Sequence, residues 1–107
     1  MTNIEKNIII IKNLIKERNF VDARIKGEQL VFIHSANAEL NYLMGYIYDK
    51  LNLIQRAEEF LHNALNLNPN HYDTLVELSL FHEKNGERDK ATLYRERSFR
   101  IANRIKQ

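Results

Sequence analysis

The chain has no cysteine, no tryptophan, one proline and three glycines in 107 residues. Without cysteine there can be no disulfide, thiol nucleophile or thiolate metal ligand, so the fold must rest on packing. So few glycines and prolines leave little punctuation for an all-β chain with many tight turns, which favours helices. The N-terminal stretch offers only four consecutive apolar residues, Ile8 to Ile11, far short of the ~20 that span a bilayer as a helix. Glu5 and Lys6 stand where the apolar region of a signal peptide would begin. Neither a targeting segment nor a membrane span is expected, and the expected setting is cytoplasmic.

What is present is ordinary globular material, 44% apolar and 28% charged, enough for one domain over residues 1–107 with a modest core. The formal charge of +2 is too small to imply a nucleic-acid partner, but it is unevenly spread. Residues 1–94 carry 11 basic and 13 acidic side chains, and residues 95–107 carry 5 and 1. A mildly acidic body therefore ends in a basic tail.

The chain repeats itself every 34 residues. Ala23, Ala57 and Ala91 keep that step, as do Lys16, Lys50 and Lys84, and the acidic Glu5, Glu39 and Asp73. The segments KERNFVDA, KLNLIQRA and KNGERDKA align without a gap, giving three units near 4–37, 38–71 and 72–105. Within each unit, apolar residues recur at helical spacing twice around a polar break. In the second, Leu40, Met44, Ile47, Tyr48 and Leu51 are followed by Ala57, Phe60, Leu61, Ala64 and Leu65, the pattern of a helical hairpin. Six helices are predicted near 3–17, 20–33, 37–51, 54–67, 71–84 and 88–105. Gly86 suits a left-handed helix stop. Pro69 lacks an amide hydrogen and ends the second unit, with Asn70 placed to cap the next helix.

In this register the sequence resembles the tetratricopeptide repeat. Met44-Gly45 matches its Leu-Gly pair, Tyr48 its tyrosine, Ala57 with Leu61 its Ala-x3-Phe, Ala64 its second small residue and Pro69 its proline, while Asn41 stands where an aromatic is usual. The third unit offers Leu75, Leu78-Ser79, His82, Ala91 and Ser98, and the first offers Asn7, Ile10-Ile11, Leu14 and Ala23, with Gly27 and Leu30 out of pattern. The resemblance implies an all-α fold of three helix-turn-helix units stacked as a short right-handed solenoid. A plain helical bundle and a pentatricopeptide-type fold stay open as alternatives.

No catalytic motif is present, so no turnover and no cofactor are expected. The histidines, His34, His62, His71 and His82, include no pair at i,i+4 and no His-Glu-x-x-His, so no metal site is expected. His82 is expected in an inter-helix contact in place of tyrosine, and the others facing solvent. In the family that the sequence resembles, the first helix of each unit lines a concave groove. The matching positions are Ile8 and Lys12, with Glu5; Glu39, Tyr42, Tyr46 and Asp49; and Asp73, Val76, Leu80 and Glu83. The groove so drawn has an apolar, aromatic centre and acidic edges, suited to a protein or peptide segment with apolar anchors and basic residues. Members that clamp a terminal carboxylate use lysine, asparagine and arginine here, whereas this chain has Ile8, Tyr42, Leu43, Asp73 and Glu77.

The resemblance thus implies an adaptor, assembly factor or chaperone-like binding protein. A second expectation is a homo-oligomer. On the first helix, Ile4, Ile8, Ile10, Ile11, Leu14 and Ile15 cover about 160° of arc, more than the ~100° that one core requires. At the other end Phe99 and Ile101 stand among arginines with no further helix to cover them. An RNA-binding helical repeat is a third class, supported only by the basic tail.

Overall fold

The computed structural model describes the backbone of residues 1–106 and the side chains of residues 1–104. Six helices and, among the described residues, no strands follow one another: α1 (Asn3–Lys16), α2 (Phe20–Ile33), α3 (Ala38–Lys50), α4 (Ile54–Leu67), α5 (Tyr72–Lys84) and α6 (Arg88–Lys106). They form three antiparallel hairpins stacked as a solenoid-like repeat. Among the described residues no helix is long and apolar enough to cross a membrane.

The hairpin turns obey the 34-residue step at the level of single dihedrals. Arg18, Asn52 and Gly86 take φ of 61°, 60° and 78°. In each case the next amide reaches back to close the helix: Asn19 N to Leu14 O at 2.8 Å, Leu53 N to Tyr48 O at 2.9 Å and Glu87 N to His82 O at 2.8 Å. This is the left-handed stop that glycine adopts most cheaply, here imposed on an arginine and an asparagine as well.

Helix starts differ more. Thr2 and Glu5 form a reciprocal capping box on α1, and the side chains of Asn19 and Asn37 cap α2 and α3. At α5 the expectation of an Asn70 cap is corrected. The cap is His71, whose ring accepts from Thr74 N at 3.3 Å, while Asn70 N donates to the Asn68 side chain at 3.1 Å. Pro69 ends α4 as expected, and the new helix begins one residue later than drawn.

The core runs through the middle of the stack, with Leu40, Met44, Ile47, Ala57, Leu61, Ala64 and Leu78 all fully buried. Gly45 is essential to it. A Cβ there would stand 2.6 Å from Leu61 Cγ and 3.2 Å from the Ala57 carbonyl, so α3 and α4 approach where only glycine fits. The out-of-pattern pair in the first unit is a compensated exchange. Gly27 is small where the second unit has Leu61, and receives the Met44 thioether; Leu30 is large where that unit has Ala64, and is buried. Asn41 also has a role: 2% exposed, it donates to the carbonyls of Ser35 and Asn37 at 3.0 and 2.8 Å and fixes the turn between the first two hairpins.

An aromatic pair recurs across units as well. Tyr48 stacks on Phe60 with centroids 5.4 Å apart, and 34 residues on, His82 stacks on Tyr94 at 5.5 Å. The Tyr48 hydroxyl donates to Glu28 of α2. Burial, reinforced by that carboxylate, pushes its pKa up to about 12.

Candidate protein-interaction groove

The first helices of the units, α1, α3 and α5, lie side by side with α3 in the centre. Tyr42 and Tyr46, one turn apart on α3, are half-buried, with ring centroids separated by 6.4 Å. Tyr46 lies 6.5 Å from Phe20, and Tyr42 lies 5.5 Å from His71. The result is a row, Phe20–Tyr46–Tyr42–His71, flanked by Lys50 and Arg18, whose cations stand 5.1 Å over Tyr46 and 5.6 Å over Phe20.

Glu39 binds the three helices together. One carboxylate oxygen is 3.0 Å from Lys12 Nζ on α1 and the other 3.0 Å from His71 Nε2 at the start of α5. Because Nδ1 of His71 accepts the Thr74 amide, Nε2 carries the proton that it donates to Glu39. This hydrogen bond, helped by Lys12, holds the Glu39 carboxyl below the usual carboxylate range against the opposing effect of burial. Burial, with the charges of Asp73 and Glu77, raises the pKa of Tyr42, so its phenol stays neutral and able to donate.

The other groove positions separate. Asp49 lies beneath the surface at 6% exposure, in a salt bridge with Lys84 of α5. Beside it Glu77 is 8% exposed, and its pKa is raised to about 7 by burial and then by the Asp49 charge, with Lys50 and Lys84 opposing. Ile8 packs half-buried against the core. Val76, Leu80 and Glu83 line a separate depression of about 220 Å³ between α5 and α6, with Tyr72, Arg95 and Phe99. Glu83 reaches Arg95 there at 3.5 Å, while Asp73 is exposed beside the tyrosines. The structure therefore brings together Lys12, Glu39, Tyr42 and Tyr46, with Asp73 at their edge.

Sequence reasoning missed three contributors to this face. Phe20 sits on a second helix, but its place directly after the Arg18–Asn19 stop aims it back at α3. His71 and Lys84 complete the pairs of Glu39 and Asp49 from 32 and 35 residues away, separations at which a pattern carries little signal. Two histidines expected in solvent are not free of the fold. His71 caps α5, and half-buried His62 lies 6.4 Å from the His82 ring and 6.3 Å from Tyr94, because α4 turns it toward the α4–α5 seam. His82 fills the inter-helix position expected of it.

A tetratricopeptide-repeat family model matches residues 38–71. Among solved structures, a fragment of MamA (41-end) from Desulfovibrio magneticus RS-1 superposes with a TM-score of 0.85 at 18% identity, over 95% of this chain and 58% of that one. Two further crystal structures of MamA share 26% identity: one covers 92% of this chain and 58% of that chain at a TM-score of 0.84, the other 94% and 55% at 0.85. The chain thus spans less than three fifths of the length of these structures. No curated protein matches it in sequence. Its central unit, residues 38–71, thus matches a tetratricopeptide repeat by sequence, and its described residues form a helical repeat of the same architecture as these structures.

Proposed function

We propose that the chain is a non-catalytic protein-interaction module that holds a protein or peptide segment against the face of α1, α3 and α5. The observation that carries this reading is the partly open aromatic row Phe20–Tyr46–Tyr42–His71, pre-ordered by the Lys12–Glu39–His71 bridge. Aromatic rings held rigid by the fold give a large contact area with little entropy left to lose on binding. Charge selection falls chiefly to Asp73, since Glu39, Asp49 and Glu83 are already paired within the chain. The segment expected is apolar with a few basic residues, and the role that of an adaptor, assembly factor or chaperone-like protein. The test is affinity capture with wild-type protein and with Tyr42→Ala/Tyr46→Ala, followed by direct titration of the recovered partner. The variant is expected to keep its circular dichroism and lose at least tenfold in affinity. Unchanged affinity in a folded variant would sink the proposal.

A second reading, self-association through the terminal helices, is favoured by a distinct observation. Ile9 and Ile10 of α1, Val21, Ile25, Phe32 and Ile33 of α2, and Leu93 and Phe99 of α6 are all exposed, Phe32 by 88%. Large apolar side chains left in water at both ends of the stack are the material of such contacts. Light scattering across concentrations decides the matter: a monomer at ~100 μM counts against a pairing role, since biological interfaces associate more tightly.

A further inference from the structure

The seam between α4 and α5 gathers a set of Lewis-basic groups that the groove does not use. One donor atom from each of Glu58, His62 and His82 lies within 4.8 Å of the others. Glu58 and His62 are one turn apart on α4, and His82 comes from α5. The His82 ring is 1% exposed; its Nδ1 stands 3.2 Å from Glu87 Oε1, and its Nε2 has no hydrogen-bond partner. With Nδ1–H donating to the Glu87 carboxylate, Nε2 is left with a buried, unanswered lone pair. An unsatisfied buried acceptor is costly, and here it stands beside a second imidazole and a carboxylate. The nearby cation, Lys90, is engaged at 3.1 Å by the other oxygen of Glu87.

We infer that Glu58, His62 and His82 form a binding site for a divalent first-row transition metal, with Zn²⁺ the best match, which bridges α4 to α5 across the joint marked by Pro69. Two imidazoles and one carboxylate are a donor set that zinc accepts, and they leave a fourth position to water. Ligand atoms on a tetrahedral ion with bonds of ~2.0–2.2 Å sit roughly 3.4 Å apart. Small side-chain movements from the present spacing close the site. Glu87 is the positioning residue: its hydrogen bond to Nδ1 sets the tautomer and turns Nε2 into the ligand, as outer carboxylates do for metal-bound histidines. Hard, oxygen-seeking Mg²⁺ and Ca²⁺ fit this donor set poorly.

The test is calorimetric titration of the untagged full chain with ZnCl₂, paired with Co²⁺ titration followed by visible absorption and with thermal unfolding. One Zn²⁺ per chain is expected, with Co²⁺ giving the strong bands of a four-coordinate site, a raised Tm with Zn²⁺, and no uptake of Mg²⁺. Glu58→Gln and His62→Gln, both at half-buried positions where folding is readily checked by circular dichroism, are expected to weaken binding at least tenfold. Glu87→Gln is expected to weaken it about tenfold, while His34→Gln leaves it unchanged. No saturable uptake at ~1 mM Zn²⁺ would overturn the inference. So would uptake that survives Glu58→Gln/His62→Gln, or that His34→Gln removes.

Discussion

The first and second units share a 34-residue step, the same turn dihedral and the same backbone closure, yet their helices end up in different environments. On α3, eight of thirteen residues are buried; on α1, only Ile11 of fourteen. The helix of the central unit has hairpins on both sides, and Leu40, Met44 and Ile47 have no contact with solvent. The first unit has a neighbour on one side only, so Ile9 and Ile10 remain 44% and 45% exposed. In a repeat protein, stability is divided between what a unit does alone and what its neighbours cover. The central unit therefore sets the fold, and the first unit presents surface.

The largest test of that contrast is truncation. Leu61→Ala, in the packed centre, is expected to cost about 3 kcal/mol, whereas Ile10→Ala on α1 should cost well under 1 kcal/mol; urea unfolding of the two variants measures the difference. A cost for Ile10→Ala near that of Leu61→Ala would show that its exposed face is covered in solution, by a second copy for instance. The two close-approach glycines sharpen the point. Gly45→Ala drives a methyl against Leu61 and the Ala57 carbonyl and should cost about 2 kcal/mol. Gly27→Ala meets mainly the Met44 thioether, which is flexible, and gains roughly 1 kcal/mol in helix propensity, so its net cost should be smaller. Both follow from the same unfolding measurement.

Glu77, at the inner edge of the groove, gives a pH test. Its folded pKa, about 7, lies above the ordinary 4.5, so the folded state binds the proton more tightly than the unfolded one. Its contribution to stability is full below pH ~4.5 and is lost as pH rises to ~7, by on the order of 3 kcal/mol. Glu77→Gln should flatten that part of the stability–pH curve and be more stable than wild type at pH 8. A curve of unchanged slope would show that other groups carry the dependence.

The smallest effects lie in the turns. Gly86→Ala meets no atom within 4 Å, so its expected loss of ~1 kcal/mol comes from the left-handed backbone alone. Arg18→Gly relieves the same strain in the first unit but gives up the stacking of Arg18 on Phe20, worth ~0.5 kcal/mol when exposed. A net gain of only a few tenths of a kcal/mol is expected by thermal unfolding.

Much of the fold was legible in the sequence because the 34-residue step repeats local physics. Ala57 and Gly45 must be small where helices meet, Pro69 cannot continue a helix, and Asn52 and Gly86 tolerate the left-handed stop. Each helix boundary lies within one residue of the expected one. The pairing of groove residues was not legible. Glu39 and Asp49 read as free acidic edges, but each meets a cation or a histidine from another unit, and Asp49 sinks below the surface with Glu77. Val76 and Leu80 hold the expected face of α5, but the length and course of α6 give them a depression of their own.

The sequence by itself determined the helices, their turns and their order, because capping, propensity and apolar spacing act over a few residues and recur in each unit. Only the tertiary structure decided which side chains from different units meet: Lys12 with Glu39 and His71, Lys84 with Asp49, and Glu58 and His62 with His82. Those meetings depend on the angle at which hairpins stack. That angle depends on bulk and absence of bulk meeting across units, as where Met44 of the second packs on Gly27 of the first, a packing result that no single repeat contains.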